Sequence, residues 1–209
     1  MTLDPNTEFD RQVKNLLDLG YPALAGLSAE EFTALVAPVR ADVLARGDLA
    51  PATPGWVPFV LVVAVDPYQA VPLLTLAGKK KPGVVDRNYA EGEVSRFVPV
   101  KEVGVPDRAA YVVFDVERGE EFCDVKPQEA METLAGRGRT PLTIEEGIAV
   151  VTHFPATLEK NKCFMLGGSR CGDRRVPALW ISENAPKLGW CWAGNPHTWL
   201  GTASAGARA

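Results

Sequence analysis

The change in hydrophobic period at one connector constrains this fold more than any other feature of the chain. Before Gly47, apolar residues recur at helical spacing, and beyond Gly55 they form short runs typical of β-strands. The connector at 47–55 also contains Pro51 and Pro54. Helices and strands that come in separate runs favour an antiparallel sheet over alternating βαβ units. We therefore predict an α+β fold with a mainly antiparallel sheet, an N-terminal helical pair and two short helices inserted between strand runs.

The segment 1–47 predicts the helical pair. Thr7 is the predicted N-cap of the first helix, because its hydroxyl can accept a hydrogen bond from an unpaired amide of the first turn. The second helix begins at Ser28, and Glu31 stands at the capping-box distance from it. Pro38 lies inside this second helix, where it removes a backbone donor, and it therefore predicts a kink or a break.

The segment 56–209 predicts the α+β body of the fold. Its first apolar run, at 57–65, lacks polar alternation, which predicts a central strand covered on both faces. Pro127 predicts the first turn of one short helix, and Thr143 with Glu146 repeats the capping-box spacing at the start of another. Further strands are predicted at 71–76, 93–100, 111–116, 163–168, 176–182 and 187–192.

Length and composition indicate one folded domain over residues 1–209. A chain of 209 residues that is 46% hydrophobic and 23% charged has the balance of an ordinary globular protein. Its longest apolar run, at 56–65, is about half as long as a membrane-spanning helix requires. Residues 1–10 lack the order of charged and apolar residues that marks a secretory signal. Four cysteines without a regular framework predict free thiols, so we expect a cytoplasmic protein with no membrane partner.

The charge distribution singles out the last part of the chain. The net charge is -4, but residues 160–209 contain seven Lys and Arg against two Asp and Glu. A basic segment of this kind is typical of a surface that faces an anion, although its arginines could equally pair with acids of the same fold. Guanidinium groups beside permissive backbone suit phosphate or carboxylate. The candidate ligand-binding residues are Arg170, Arg174, Arg175, Gly167, Gly168 and Gly172.

A cysteine nucleophile is an alternative for the same region. Cys171 lies close in sequence to Arg170 and Arg174, whose charges would favour its thiolate. Such catalysis also needs a general base, and the chain offers His153 and His197. The candidate catalytic residues are therefore Cys171, His153 and His197, and a buried, inert cysteine is the competing interpretation.

Soft metal ligands in the tail do not have the spacing of a metal site. Cys163, Cys171, Cys191 and His197 include no close CxxC pair that could form a zinc knuckle. We assign no metal and no cofactor to the chain.

Aromatic residues are concentrated in the basic segment. Trp180, Trp190, Trp192 and Trp199 are four of the five tryptophans. Rings interleaved with cations are typical of single-stranded nucleic-acid sites. Trp190 and Trp192 share one face of a strand, however, and packing explains them as well. The acidic balance of the whole chain argues against nucleic acid as a partner.

Two stretches of the sequence resemble a known family. FDRQVKNLLDLGYPALAGLSAEEF near the start and RRVPALWISENAPKLGWCWAGNPHTWLG near the end are similar to an uncharacterised family of actinobacterial proteins of about this length. The resemblance extends over most of the chain. It implies a bacterial cytoplasmic protein, and it supplies no activity, cofactor or site residue.

We interpret the sequence as that of a binding module for a small anionic ligand or a protein partner. The alternatives are an enzyme with Cys171 as nucleophile and a binder of single-stranded nucleic acid. A homo-oligomer is a further possible assembly. The three functions require different structures: arginines around one hollow, a histidine within reach of the thiol, or one continuous basic and aromatic surface.

Overall fold

The computed structural model of the chain describes residues 2–209. The α-helices in that range are α1 (Pro5–Asp18), α2 (Tyr21–Leu24), α3 (Ala29–Val36), α4 (Val39–Leu44), α5 (Pro67–Ala70), α6 (Pro127–Gly136) and α7 (Ile144–His153). The strands are β1 (Trp56–Val63), β2 (Val84–Val85), β3 (Val98–Pro99), β4 (Ala110–Glu117), β5 (Thr140–Pro141), β6 (Cys163–Met165), β7 (Ser169–Arg170), β8 (Arg175–Ser182), β9 (Ala185–Trp192), β10 (Leu200–Thr202) and β11 (Ser204–Arg208).

The strands form two large sheets and one small one. The first has the order β1-β4-β11-β5, and all its neighbours are antiparallel. The second has the order β10-β6-β8-β9-β2, in which only the outer pairs β10-β6 and β2-β9 are parallel. The short strands β3 and β7 pair with each other. The predicted α+β class with mainly antiparallel pairing is confirmed.

Local capping chemistry sets the helix boundaries at the N-terminus. Ser28 and Glu31 form the predicted capping box at the start of α3. Pro38 separates α3 from α4, as predicted for a residue that cannot continue the helical hydrogen bonds. Thr7 is wrong as the first cap, because the Asp4 carboxylate accepts the first-turn amides and Thr7 already lies inside α1.

The strand predicted as central, at 57–65, lies instead at the edge of its sheet as β1. It is buried nonetheless, because α1 and α7 cover its outer edge. The Gln12 amide donates to the Phe59 carbonyl at 3.2 Å and accepts from the Leu61 amide at 2.7 Å. His153 Nε2 lies 3.1 Å from the Leu61 carbonyl. Buried side chains thus supply the hydrogen bonds that a neighbouring strand would otherwise make.

Two further strand predictions, at 71–76 and 93–100, are wrong for a different reason. The run 71–76 begins as a 3₁₀-helix, and the run 93–100 also begins as one and contributes only β3. In the first run, buried Val71 and Leu74 are three residues apart, which is one turn of helix and not the two-residue period of a strand. In the second run, buried Val94 and Phe97 repeat that spacing.

The apolar core joins the N-terminal helices to both large sheets. Phe9 and Phe32 from the helices, Phe59 from β1 and Phe164 from β6 are all almost completely buried and belong to one connected cluster. A buried ion pair between Glu146 at the start of α7 and Arg208 in β11 crosses the same region. No helix within residues 2–209 is both long and apolar enough to cross a membrane.

Candidate functional site

Arg175, the last of the three candidate arginines in the chain, is already neutralised by the fold. Its guanidinium forms ion pairs of 2.8 Å with both Glu93 and Asp173. It also lies 5.3 Å from the ring centroids of Phe97 and Trp190, between which it is held. The hydrogen bonds to Glu93 and Asp173 raise the pKa of Arg175, so this side chain stays a cation at neutral pH. Arg175 therefore stabilises the β8 hairpin and has little free capacity for a ligand.

Arg170 and Arg174 differ from Arg175 in that neither has a carboxylate within 4.0 Å among residues 2–209. Arg170 donates from Nη2 to the Asp173 carbonyl at 3.0 Å, and its buried Nε has no hydrogen-bond partner. Arg174 is exposed, and its guanidinium lies against Gly194. Two of the three arginines thus retain their charge for an external anion.

The candidate glycines serve packing and turn geometry. A Cβ on Gly167 would meet Met131, and a Cβ on Gly168 would lie 2.6 Å from the Pro141 carbonyl. The Gly168 amide donates to the Leu142 carbonyl at 2.9 Å, so it is not free for a ligand. Gly172 adopts a left-handed φ of 85° in the turn before β8. The Gly168 amide is therefore not available for the expected cradle of backbone amides, and Gly167 and Gly168 allow close packing.

The structure does not join Cys171 to a histidine. Both ring nitrogens of His153 face other groups, with Nε2 on Leu61 and Nδ1 at 3.4 Å from the Asn15 amide. Burial lowers the pKa of His153 to about 3, so its ring is neutral at pH 7. His197 packs against Trp199 at 5.5 Å between ring centroids. One polar neighbour of the Cys171 thiol is Arg175 Nη2, at 3.6 Å. A cysteine nucleophile stays a prediction without an identified base.

The cysteine and histidine side chains that could bind a soft metal ion do not come together in the fold. Within residues 2–209, no group of three or more His, Cys, Asp and Glu side chains lies close enough to hold a metal ion. Cys163 is buried and donates to the Glu159 carbonyl at 3.5 Å, while Cys191 contacts Met165 at 3.3 Å between sulfur atoms. Burial raises the pKa of the Cys191 thiol to about 12. Burial therefore keeps both thiols protonated at neutral pH.

The four tail tryptophans separate into two pairs. Trp190 and Trp192 contact each other at 5.0 Å between ring centroids, and Trp180 contacts Trp199 at 6.3 Å. Register in the β8–β9 hairpin pairs Trp190 with Pro177 and Trp180 with Lys187. Because neighbours along a strand alternate in direction, the two pairs lie on opposite faces of the sheet. The arrangement is not the single stacking platform that a nucleic-acid site would use.

The Trp180–Trp199 pair opens onto a hollow of about 630 Å³, called here the tryptophan hollow. Its polar lining comes from two loops and the end of β8, and consists of Lys160, Asn161, Ser182, Glu183 and Asn184. Cys163 also lines it, but burial raises the pKa of that thiol and disfavours a reactive thiolate. The hollow is thus an aromatic and polar concavity of ligand size.

Two tight turns form the rim of the tryptophan hollow. Glu183 and Asn184 connect β8 to β9 with left-handed φ values of 52° and 62°, which is the geometry of a two-residue hairpin turn. Asn161 has a φ of 63° in the turn that the Glu159–Lys162 bridge closes. Asparagine tolerates this conformation better than most residues. An asparagine between two β-rich runs is the sequence signal for a turn of this kind.

A network of ion pairs holds in place the turn at 159–162, which forms one part of the rim. Buried Arg118 pairs with Glu120 and, at 3.3 Å, with Glu159. Lys162 lies 3.5 Å and 3.6 Å from the same two carboxylates. The Arg118 guanidinium holds the pKa of Glu120 below its usual value. These ion pairs therefore hold the turn that carries Lys160 and Asn161 against Arg118, the residue that follows β4.

Charge in the tryptophan hollow is not fully compensated. The Glu183 carboxylate forms an ion pair of 3.4 Å with the Lys81 ammonium. Lys160 has no carboxylate within 4.0 Å among residues 2–209. Among residues 2–209, the side chains of Asn161, Ser182 and Asn184 find no hydrogen-bond partner. One free cation and several free donors and acceptors thus surround the two indole rings.

Fold and hollow together define a mixed α+β protein with an aromatic and polar concavity of about 630 Å³. The chain belongs to DUF5701, a family of unknown function, whose model matches residues 15–209. No curated protein and no solved structure matches the chain.

Proposed function

We propose that this protein binds a small anion carrying a ring in the tryptophan hollow. The observation that carries the proposal is the combination of two tryptophan rings with an unpaired Lys160 in one hollow of about 630 Å³. Small-molecule sites commonly measure about 300–1,000 Å³ and combine apolar walls with a few polar groups. We therefore propose Lys160, and not the three arginines, as the contact for the anionic ligand predicted from the basic tail.

The aromatic part of the hollow supports a ring as the ligand's body. Trp180 and Trp199 meet edge to face with an interplanar angle of 73°, so a flat ligand ring can stack face to face on only one of the two indoles at a time. Stacking on such a side chain contributes about 1–3 kcal/mol per ring. Because each indole already contacts the other, little side-chain entropy is lost on binding.

The polar rim supports an acidic substituent on that ring. The Lys160 ammonium can approach a carboxylate or phosphate without first breaking an ion pair. The amides of Asn161 and Asn184 can donate to and accept from hydroxyl groups on the same ligand. Glu183 at the rim disfavours a second acidic group close to it.

The proposal is tested with probe pairs that differ in charge: benzoate against benzyl alcohol, and glucose 6-phosphate against glucose. Binding is measured through tryptophan fluorescence and the thermal midpoint, since a ligand of the native state raises that midpoint. We expect the charged member of a pair to bind more tightly. Trp199→Ala should weaken binding by about tenfold or more, and Lys160→Gln by up to about fivefold.

Two substitutions outside the hollow remove the same types of side chain and serve as matched controls. Trp192→Ala removes an exposed indole outside the hollow, and Lys101→Gln removes an exposed lysine outside it. Neither change should alter probe affinity. Equal losses from Trp192→Ala and Trp199→Ala, or no preference for the charged probes, would contradict the proposal.

A glycine beneath Trp180 gives a second test. A Cβ on Gly189 would overlap the six-membered ring of Trp180. We expect Gly189→Ala to displace the indole, to destabilise the fold by about 1–3 kcal/mol and to abolish probe binding. Gly136→Ala is the matched control, because a Cβ there meets no atom within 4 Å and alanine favours the helix. Chemical denaturation and probe titration of both variants distinguish the outcomes; unchanged binding by Gly189→Ala would be evidence against the role of Trp180.

A further inference from the structure

The tryptophan hollow lies on one face of the second sheet, at the end where β6 begins and β8 finishes. Extending the β6–β8 register by one residue places Cys163 opposite Trp180. The Cys163 amide donates to the Trp199 carbonyl at 3.0 Å, so β6 runs between the two tryptophans. Ser182 follows Trp180 by two residues in β8, and alternate side chains of a strand point to the same face. The Ser182 hydroxyl therefore lies on the face that carries the Trp180 indole.

The neutral polar side chains of the hollow are free to bind a ligand. Asn161, Ser182 and Asn184 line it, and none of them has a hydrogen-bond partner in the part of the chain that the structure describes. Their amide and hydroxyl groups offer both donors and acceptors. A ligand that displaces water from these groups loses affinity unless it restores the hydrogen bonds. The lining therefore favours a ligand with several hydroxyl groups, because a hydroxyl can both donate and accept.

The Glu183 carboxylate adds acceptors to the same rim. Lys81 Nζ donates to the Glu183 carbonyl at 2.7 Å and lies 3.4 Å from one carboxylate oxygen, and the Glu183 side chain is exposed. An ionised carboxylate accepts hydrogen bonds and cannot donate them. A ligand that approaches Glu183 must therefore supply a donor. A hydroxyl group meets this requirement, whereas the edge of a benzene ring does not.

We infer that the ring bound in the tryptophan hollow is saturated and carries hydroxyl groups, so that the ligand is a sugar with one carboxylate or phosphate. This inference rests on the proposed function, in which Lys160 contacts the acid and the indoles contact the ring. The face of an indole is electron-rich, and it attracts the weakly positive C–H groups on the face of a sugar ring. The hydroxyl groups project from the edge of that ring, toward the polar side chains of the rim.

An aromatic acid fits the hollow less well. Its flat ring could stack on one indole while its acid contacts Lys160. Its edge would then present only C–H groups to Asn161, Ser182 and Asn184, and the hydrogen bonds that these side chains make with water would not be replaced. The hydroxyl groups of the ligand, and not its charge, thus separate the two classes.

The test compares acids that share a six-membered ring and one carboxylate. Glucuronate and galacturonate carry hydroxyl groups, cyclohexanecarboxylate has a saturated ring without them, and benzoate has an aromatic ring. Titration of the full chain, followed through tryptophan fluorescence, measures the affinity for each. We expect at least one of the two uronates to bind about tenfold or more tightly than cyclohexanecarboxylate and benzoate.

Two substitutions remove hydrogen-bonding groups from the rim. Asn184→Gly deletes an amide and keeps a residue that tolerates the left-handed φ of 62°, and Ser182→Ala deletes a hydroxyl. Each should weaken uronate binding by about threefold to tenfold and leave benzoate binding unchanged. Asn195→Gly is the matched control, because Asn195 is exposed and does not line the hollow, and it should change neither affinity. The thermal midpoint of each variant reports whether it folds.

Several results would overturn the inference. They are absence of uronate binding, equal affinity for the uronates and benzoate, and an equal loss from Asn195→Gly. If benzoate binds as tightly as the uronates and depends on Trp199 and Lys160, the proposed function stands and this inference alone fails. Tighter binding of adenosine 5′-monophosphate that needs Trp199 but neither Ser182 nor Asn184 would assign the stacked ring to a base. Glucose that binds as tightly as glucuronate, and less tightly to Ser182→Ala, would support the hydroxylated ring and contradict the acid of the proposed function.

Discussion

Replacing Glu146 by alanine is expected to lower the free energy of unfolding by about 3–5 kcal/mol. Glu146 is 1% exposed, and its carboxylate binds Arg208 through two contacts of 2.5 Å and 2.8 Å. The Tyr111 hydroxyl donates to the same carboxylate at 3.2 Å, and the Thr143 amide donates at 2.9 Å. Removal of the carboxylate leaves a buried guanidinium without a counter-charge, which is the costly half of a broken ion pair.

Glu145→Ala is the matched control for this variant, because it removes the neighbouring carboxylate of α7. Glu145 has no cation within 4.0 Å among residues 2–209, and burial raises its pKa. We expect its replacement to cost less than about 1 kcal/mol. The double variant Glu146→Leu with Arg208→Met should recover much of the loss, since an apolar pair needs no counter-charge. Equal effects of Glu145→Ala and Glu146→Ala in urea denaturation would contradict this account.

Lowering the pH from 7 to about 4 is expected to destabilise the protein by roughly 3 kcal/mol through His153 alone. Burial lowers the pKa of His153 in the folded state from 6.5 to about 3. The unfolded chain therefore takes up this proton first. The contribution of His153 is fully present above about pH 6.5 and is lost as the pH falls toward 3.

The physical reason lies at the outer edge of β1, which α1 and α7 cover. His153 Nε2 donates to the Leu61 carbonyl, and Nδ1 remains unprotonated in a completely buried ring. Protonation would add a charge beside Arg11, whose nearby guanidinium also lowers the His153 pKa. Denaturation at several pH values measures the slope, and NMR of the ring protons reports its titration. His153→Gln should reduce the slope by about one proton between pH 6.5 and 3; a ring that titrates near 6.5 in the folded protein would refute the explanation.

His153 also shows why the candidate site could not be read from sequence. As one of two histidines in the chain, it was a reasonable general base. Its partners are Leu61 and Asn15, which lie far from it in the chain and become neighbours only when α1 and α7 cover β1. The same applies to Arg175, because the Glu93 carboxylate that neutralises it is 82 residues away. Sequence supplied the charged groups, but their pairing depends on tertiary contacts.

The aromatic residues lead to the same conclusion. Their concentration in the tail was visible in the sequence, and so was the shared face of Trp190 and Trp192. The contact between Trp180 and Trp199 was not, because it requires β10 to lie in the same sheet as β8. The tryptophan hollow exists only through that arrangement. The proposed ligand site therefore lies at Lys160 and not at the hairpin arginines.

The sequence by itself determined the elements whose hydrogen bonds are local. The capping boxes at Ser28 and Thr143 and the break at Pro38 depend on groups a few residues apart, so local chemistry was sufficient to locate them. Tertiary structure alone decided that β1 lies at a sheet edge, that 71–76 forms no strand, and which arginines keep a free charge. Those outcomes depend on burial and on partners distant in the chain, and hydrogen bonds or charges acquire their energetic weight only where the fold excludes water.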